Sequence, residues 1–200
     1  MSILGPSKQE VWRALCQEAN CELIHSPLWN GVKVVKRVSS WNIILDTAKL
    51  PPGPNKGTMY TRIRTPFITK DNFSFIISRK NSITSMLKRF VKNNQVVVDK
   101  EFYQYFATQS NNTVKLNLLL DNSKILQIIK NQPEIEFGIR TKVNWFGQEL
   151  SEGICEIYFQ VTGIITDIER IKGLLDLFSE TLHLLLKIDP ASEQAPNLLI

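Results

Sequence analysis

The sequence predicts an α+β fold, in which a bent antiparallel sheet of about six to eight strands carries a long C-terminal helix and a helical insertion. Apolar and polar side chains alternate over Cys155–Thr162, which indicates a strand with one buried face. Apolar residues then recur every three or four positions from Ile168 to Leu185, which indicates a helix buried along one side. Repeated alternation before residue 80 supplies the other strands.

The first 80 residues predict one helix followed by an antiparallel meander. Ser7 and Glu10 have the spacing of a capping box, so a helix is expected over Lys8–Ala19. A strand begins at Leu23, and Asn30-Gly31 is typical of a hairpin turn. Further strands are expected at 32–38, 41–47, 58–65 and 73–78, and the proline-rich stretch 51–57 is expected to be a loop.

The centre of the chain predicts mainly helices. Ser82 is expected to cap an amphipathic helix over 83–91, and a short strand is expected at 96–98. Further helices are expected at 100–107, 113–120 and 123–130, and a strand at 134–140. These elements define a helical insertion at about 82–131 within a single domain over residues 1–200. Thr166 and Glu169 are expected to form the capping box of the final helix.

Composition predicts an ordinary globular protein, with 43% hydrophobic and 22% charged residues. The N-terminus lacks the basic and apolar regions of a signal peptide, and no run approaches the roughly 20 apolar residues of a membrane span. The three cysteines, Cys16, Cys21 and Cys155, fit free thiols that behave as small hydrophobic residues. We therefore expect a cytoplasmic protein.

The charge is unevenly distributed along the chain. Residues 31–100 hold 14 lysines and arginines against 3 aspartates and glutamates, whereas the rest holds 10 against 16. A surplus of this size can build a positive face for an anionic partner. The alternative is that solvent-facing strand positions are filled with lysine and arginine, which discourage edge-to-edge pairing.

Motifs for catalysis or cofactor binding are missing from the sequence. The histidines, His25 and His183, are far apart, and there is no P-loop, dinucleotide fingerprint, HExxH, nucleophile elbow or paired CxxC. We expect neither catalytic residues nor a cofactor nor a metal site. Asp46 and Asp71, which are rare acids in the basic region, are expected to pair with neighbouring lysine or arginine.

The candidate binding residues all lie in the basic region. Alternation places Tyr60, Arg62 and Arg64 on one side of a strand. The segment from Arg79 onward has the pattern of a basic amphipathic helix, which can lie on an anionic membrane or dock on a partner, although an ordinary packed helix has the same pattern. The candidates for binding an anionic partner are Tyr60, Arg62, Arg64, Arg79, Lys80, Lys88, Arg89 and Lys92.

Several segments resemble a family of uncharacterised bacterial proteins over nearly the full chain, from about residue 8 to 188. They include Lys8–Trp12, Tyr60–Arg64, Val98–Phe102, Gln132-Pro133 and Glu152–Leu186, together with 41–47 and 73–79. The resemblance implies no catalytic or binding residue. In element order alone, the chain is also similar to a pleckstrin-homology-like barrel with a helical insertion, an analogy that does not fix function.

The sequence therefore favours a non-enzymatic cytoplasmic module whose basic half binds an anionic membrane surface or an acidic protein. Nucleic acid is a less favoured partner, because no RNP-like motif accompanies Tyr60. Two alternatives remain open. One is a hydrolase or transferase whose site lacks local sequence motifs, and the other is a self-associating scaffold or homodimer.

Overall fold

The computed structural model describes residues 6–26, 31–49, 57–69, 71–80, 100–141 and 149–188. In these ranges the helices are α1 (Lys8–Ala19), α2 (Lys100–Tyr105), α3 (Thr113–Leu120), α4 (Ser123–Lys130) and α5 (Ile168–Ile188). The strands are β1 (Glu22–Ser26), β2 (Gly31–Val38), β3 (Trp41–Lys49), β4 (Met59–Ile68), β5 (Phe75–Arg79), β6 (Phe106–Ser110), β7 (Glu136–Arg140) and β8 (Ile154–Thr162). The α+β prediction is confirmed. None of these helices combines the length and apolar character that crossing a membrane requires.

The eight strands form one antiparallel sheet in the order β1-β2-β3-β4-β8-β7-β5-β6. The first four strands form a meander, as the sequence predicts, but the predicted strand at 73–78 does not continue it. This strand is β5, which pairs with β6 and β7 because β8 occupies the edge of β4. The meander joins the remaining strands through β4 and β8, which are in register from Tyr60 opposite Thr162 to Ile68 opposite Ile154. The centre of the sheet is therefore built from two segments that are distant in the sequence.

The main core lies between one face of the sheet and helices α1 and α5. Alternate strand residues, such as Ile63 of β4 and Phe159 of β8, point to this side and are fully buried. Helix α5 packs Phe178 against Phe137 of β7, with ring centroids 5.8 Å apart. Helix α1 contributes Trp12, which is also fully buried. This face is called the inner face below, and the opposite side is called the outer face.

A buried threonine at the β4–β8 junction fixes the chain that leads into α5. The Thr61 hydroxyl donates to the Gly163 carbonyl oxygen at 2.8 Å and accepts from the Ile165 N–H at 2.9 Å. Gly163 has φ +88°, a left-handed conformation that glycine adopts without steric cost. The end of β8 is thereby held in the direction that brings α5 back over the sheet.

The helix caps confirm one prediction and correct another. The Ser7 N–H donates to Glu10 Oε2 at 2.7 Å and the Glu10 N–H donates to Ser7 Oγ at 3.3 Å, which is the predicted capping box of α1. The predicted Thr166–Glu169 box of α5 is wrong. Asp167 accepts from the Arg170 N–H at 3.0 Å instead, and aspartate is a strong N-cap because its carboxylate satisfies an otherwise unpaired N–H.

The predicted helix over 100–107 is also wrong at its end. Helix α2 stops at Tyr105, and the next residues form β6, which pairs with β5 from Arg79 opposite Phe106 to Phe75 opposite Ser110. Phe102 and Phe106 are four residues apart and stack at 4.6 Å, a spacing that suits a helix, but pairing with β5 determines the backbone after Tyr105. The insertion is therefore not purely helical. The expected elements at 83–91 and 96–98 lie outside the described residues.

We predict that Leu182→Ala destabilises the protein by about 2–5 kcal/mol, because it opens a cavity between α5 and the sheet. Leu182 is 1% exposed in α5. The matched control is Leu118→Ala in α3, which makes the same change at a side chain that is 46% exposed, and which we expect to cost less than about 1 kcal/mol. Guanidinium chloride unfolding of both variants checks this. Equal losses would contradict the assignment of the core.

Candidate binding site on the outer face of the sheet

Strand β8 is buried on both faces, whereas the sequence predicts only one buried face. Its inner residues are apolar, and its outer residues Glu156 and Tyr158 are each only 4% exposed. Arg62 on the neighbouring strand β4 is also 4% exposed. A buried carboxylate or guanidinium loses its hydration, and this costs free energy unless other polar groups bind it. The outer face therefore holds the candidate functional site.

The strand register gathers charged and polar residues into one group on this face. Asp46, Arg62, Gln160 and Glu136 face one another in turn across β3, β4, β8 and β7. A second set of register neighbours places Arg64 opposite Tyr158, and Glu156 opposite Arg140. We call the whole set the outer cluster. It consists of Asp46, Arg62, Arg64, Glu136, Arg140, Glu156, Tyr158 and Gln160.

Asp46 pairs with two arginines. Arg62 forms a bidentate pair with it, in which Nε donates to Oδ1 at 2.7 Å and Nη2 donates to Oδ2 at 2.8 Å. Arg64 reaches the same Oδ2 with Nη2 at 3.2 Å. Burial lowers the pKa of Arg62, while the hydrogen bond and the charge of Asp46 oppose this effect. The predicted pairing of Asp46 is confirmed, and so is that of Asp71, which binds Lys115.

Arg64 is more exposed than Arg62 and is bound less closely to Asp46. Its side chain is 26% exposed, compared with 5% for Arg62. Its Nε is buried and has no hydrogen-bond partner in the described part of the chain. Because Asp46 already accepts a bidentate pair from Arg62, it gives Arg64 only one longer bond. A partly exposed guanidinium that shares its one carboxylate with another arginine is suited to binding a further oxygen anion.

The other half of the outer cluster is organised around Tyr158. The Arg140 guanidinium lies over the Tyr158 ring, 3.4 Å from its centroid, and donates to Gln160 Oε1 at 3.1 Å. The Gln160 amide donates to Glu136 Oε1 at 2.7 Å. Gly138 faces Tyr158 in the register, and a Cβ there would lie 2.1 Å from the Phe75 carbonyl oxygen. Any side chain at this position would therefore push β5 and β7 apart.

Burial raises the pKa of both glutamates in the outer cluster. For Glu136, the charge of Arg140 and hydrogen bonds from Gln160 and Tyr158 act in the opposite direction. For Glu156, the opposing charges are those of three arginines at positions 140, 64 and 62. Burial also raises the pKa of Tyr158. The formal charges of the outer cluster cancel, because it contains three arginines and three carboxyl groups. A proton taken up by either glutamate therefore leaves the cluster with a net positive charge.

The predicted binding residues do not form one surface. Tyr60, Arg62 and Arg64 share the outer face as predicted. Arg79 belongs to the inner side, where it donates to the carbonyl oxygens of Gln132 at 2.9 Å and Lys130 at 3.1 Å and so caps the end of α4. Lys80 donates to the Tyr103 carbonyl oxygen. Lys88, Arg89 and Lys92 lie outside the described residues.

The sequence-based prediction missed the half of the site that β7 and β8 supply. These residues alternate with buried apolar residues, and alternation by itself predicts that the polar side of a strand faces solvent. Only the pairing with neighbouring strands shows that this side is buried. The only signal in the sequence is that each strand places charged or amide groups two or four residues apart. The missed residues are Glu136, Arg140, Glu156, Tyr158 and Gln160.

The cysteines lie away from the outer cluster. Cys155 is buried on the inner face, as expected for a small hydrophobic residue, and burial raises its pKa to about 12. Cys16 and Cys21 are partly buried free thiols near the end of α1. Across the described ranges, no three histidine, cysteine, aspartate or glutamate side chains are grouped as metal ligands.

Comparison with protein-family models finds none that matches the chain, and neither the curated proteins nor the solved structures contain a significant match. The resemblance to a family of uncharacterised bacterial proteins and the analogy with pleckstrin-homology-like barrels therefore stay predictions. Any functional conclusion has to come from the chemistry of the outer cluster.

We predict that Asp46→Ala costs about 3–5 kcal/mol in the free energy of unfolding, because it removes the carboxylate that pairs with buried Arg62. The matched control is Asp176→Ala, which breaks an exposed pair with Lys36 at 3.9 Å and should cost less than about 1 kcal/mol. Chemical denaturation followed by circular dichroism measures both. If the two variants were equally stable, Arg62 would not depend on Asp46.

Proposed function

We propose that the protein is a non-enzymatic binding module that holds an anionic group against the outer face of its sheet. The main support is the environment of Arg64, which shares one carboxylate with Arg62 and keeps a buried Nε–H without a hydrogen-bond partner among the described residues. The side chain is also 26% exposed, so a carboxylate or phosphate oxygen can add a charge-assisted hydrogen bond to its accessible part.

Further cations of the basic region lie on the same side of the sheet. Alternation from Val35, which faces Ile44 and through it Arg64, places Lys33 and Arg37 on the outer face of β2. Other members of the region are used elsewhere. Lys36 pairs with Asp176 of α5, and Arg79 caps α4. The described lysines and arginines of residues 31–100 are thus divided between the two faces of the sheet. Those on the outer face include Lys33 and Arg37 of β2, on the same side as Arg64.

The geometry favours an acidic protein segment over a membrane surface. The formal charges of the outer cluster balance, so its field at long range is weak and attraction depends on short-range hydrogen bonds. Arg64 is only 26% exposed, which suits a carboxylate on a projecting side chain better than a broad layer of headgroups. We therefore propose an acidic peptide or protein as the partner.

We predict that Arg64→Ala weakens binding of fluorescent poly-L-glutamate about tenfold or more at low ionic strength, because a charge-assisted hydrogen bond is lost. The matched control is Arg13→Ala, which removes the same charge from an exposed position on α1. Fluorescence anisotropy titration measures both affinities, and thermal unfolding of each variant verifies that it is folded.

Equal weakening by the two substitutions would show that only net charge matters and would contradict a site at Arg64. Absence of poly-L-glutamate binding to the unmodified protein would contradict the acidic-protein proposal. Phosphatidylserine vesicles form a second arm of the experiment. If they bound in an Arg64-dependent manner while poly-L-glutamate did not, the partner would be a membrane surface instead.

A further inference from the structure

Glu156 is a buried carboxyl group of the outer cluster, and its charge interacts with the three arginines of that cluster. It lies on β8 between Pro66 of β4 and Arg140 of β7 in the register, and it is 4% exposed. Its Oε1 is buried and has no hydrogen-bond partner within the described structure. Sheet pairing uses the backbone of β8, so an apolar side chain at this position would preserve the strand without the cost of burying a polar atom.

The groups around Glu156 act on it in opposite directions. Burial favours its neutral form most strongly, and Asp46 on β3 adds to this effect. Arg62 and Arg64 on β4 and Arg140 on β7 favour its ionised form. The other charged or titratable members of the outer cluster are Glu136 on β7 and Tyr158 on β8. The balance therefore depends on how much positive charge the arginines present to Glu156.

An anion bound at Arg64 changes that balance. It neutralises one of the three guanidinium groups that stabilise the carboxylate, and it adds a negative charge to the same face. Both effects raise the proton affinity of Glu156. Once protonated, the carboxyl group no longer repels the anion and carries an O–H that can donate a hydrogen bond.

We infer that Glu156 couples anion binding on the outer face to the uptake of one proton, so that the module binds its acidic partner more tightly as the pH falls. This inference rests on the proposed function, because it requires an anion at Arg64. By linkage, an affinity that depends on one proton rises at most tenfold for each unit by which the pH is lowered, and it does so while Glu156 is ionised in the free protein.

The test is isothermal titration calorimetry with poly-L-glutamate at about pH 7 and about pH 6, in two buffers that differ in ionisation enthalpy. For the unmodified protein, we expect a binding heat that depends on the buffer in the sense of proton uptake, and an affinity several-fold higher at the lower pH. In Glu156→Gln, which mimics the protonated form, we expect tighter binding at neutral pH and the loss of most of this proton uptake.

Glu18→Gln is the matched control, because it makes the same change at an exposed position on α1, where Glu18 pairs with Lys172 at 3.2 Å away from the outer cluster. We expect it to retain the uptake assigned to Glu156. Binding of the unmodified protein with a buffer-independent heat, or equal uptake in Glu156→Gln, would overturn the inference and leave the proposed function standing. Absence of binding to the unmodified protein would overturn both. The two-buffer comparison needs only the unmodified protein, so it holds even if a variant does not fold.

Discussion

The pairing of β4 with β8 is the constraint on which the rest of the structure depends. It joins parts of the chain that are 102 residues apart at Thr61 and Gly163. On the inner face it places Ile63 beside Phe159, and on the outer face it places Arg62 beside Gln160. The same junction directs the chain into α5 through the two hydrogen bonds of Thr61. Core, outer cluster and closing helix therefore all require this one register, since a shift by one residue would exchange the two faces.

The outer cluster shows how a sheet can bury charge by pairing charged side chains with one another and with aromatic and amide groups. Arg62 is compensated by a bidentate pair with Asp46, and Arg140 by the Tyr158 ring and Gln160. Burying ion pairs adds little to stability compared with apolar packing, and for this reason we propose that the outer cluster serves recognition. Under the proposed function, Arg64 is the residue that binds the anion and Glu156 is the residue that responds to it.

The sequence predicted most local features, because alternation and capping depend on neighbouring residues, although it chose Thr166 instead of Asp167 as the cap of α5. It placed Tyr60, Arg62 and Arg64 on one strand face, and it identified the capping box of α1. It failed where distant pairing decides. The strand β6 follows α2 because β5 offers an edge, and Arg79 caps α4 because of the packing around it. For the same reason the sequence identified the residues of the outer cluster on β4 but not those on β7 and β8, since nothing local shows that β8 lies beside β4.

Native-state hydrogen exchange of the β4 and β8 amides tests the central claim most directly. If the two strands form the centre of one cooperative sheet, their hydrogen-bonded amides should exchange only through global unfolding, with the same free energy as the buried amides of α5. Exchange of the β1–β4 amides at a clearly lower free energy than those of β7 and β8 would contradict the account, because the meander would then open as a separate unit and the outer cluster would not be a fixed site.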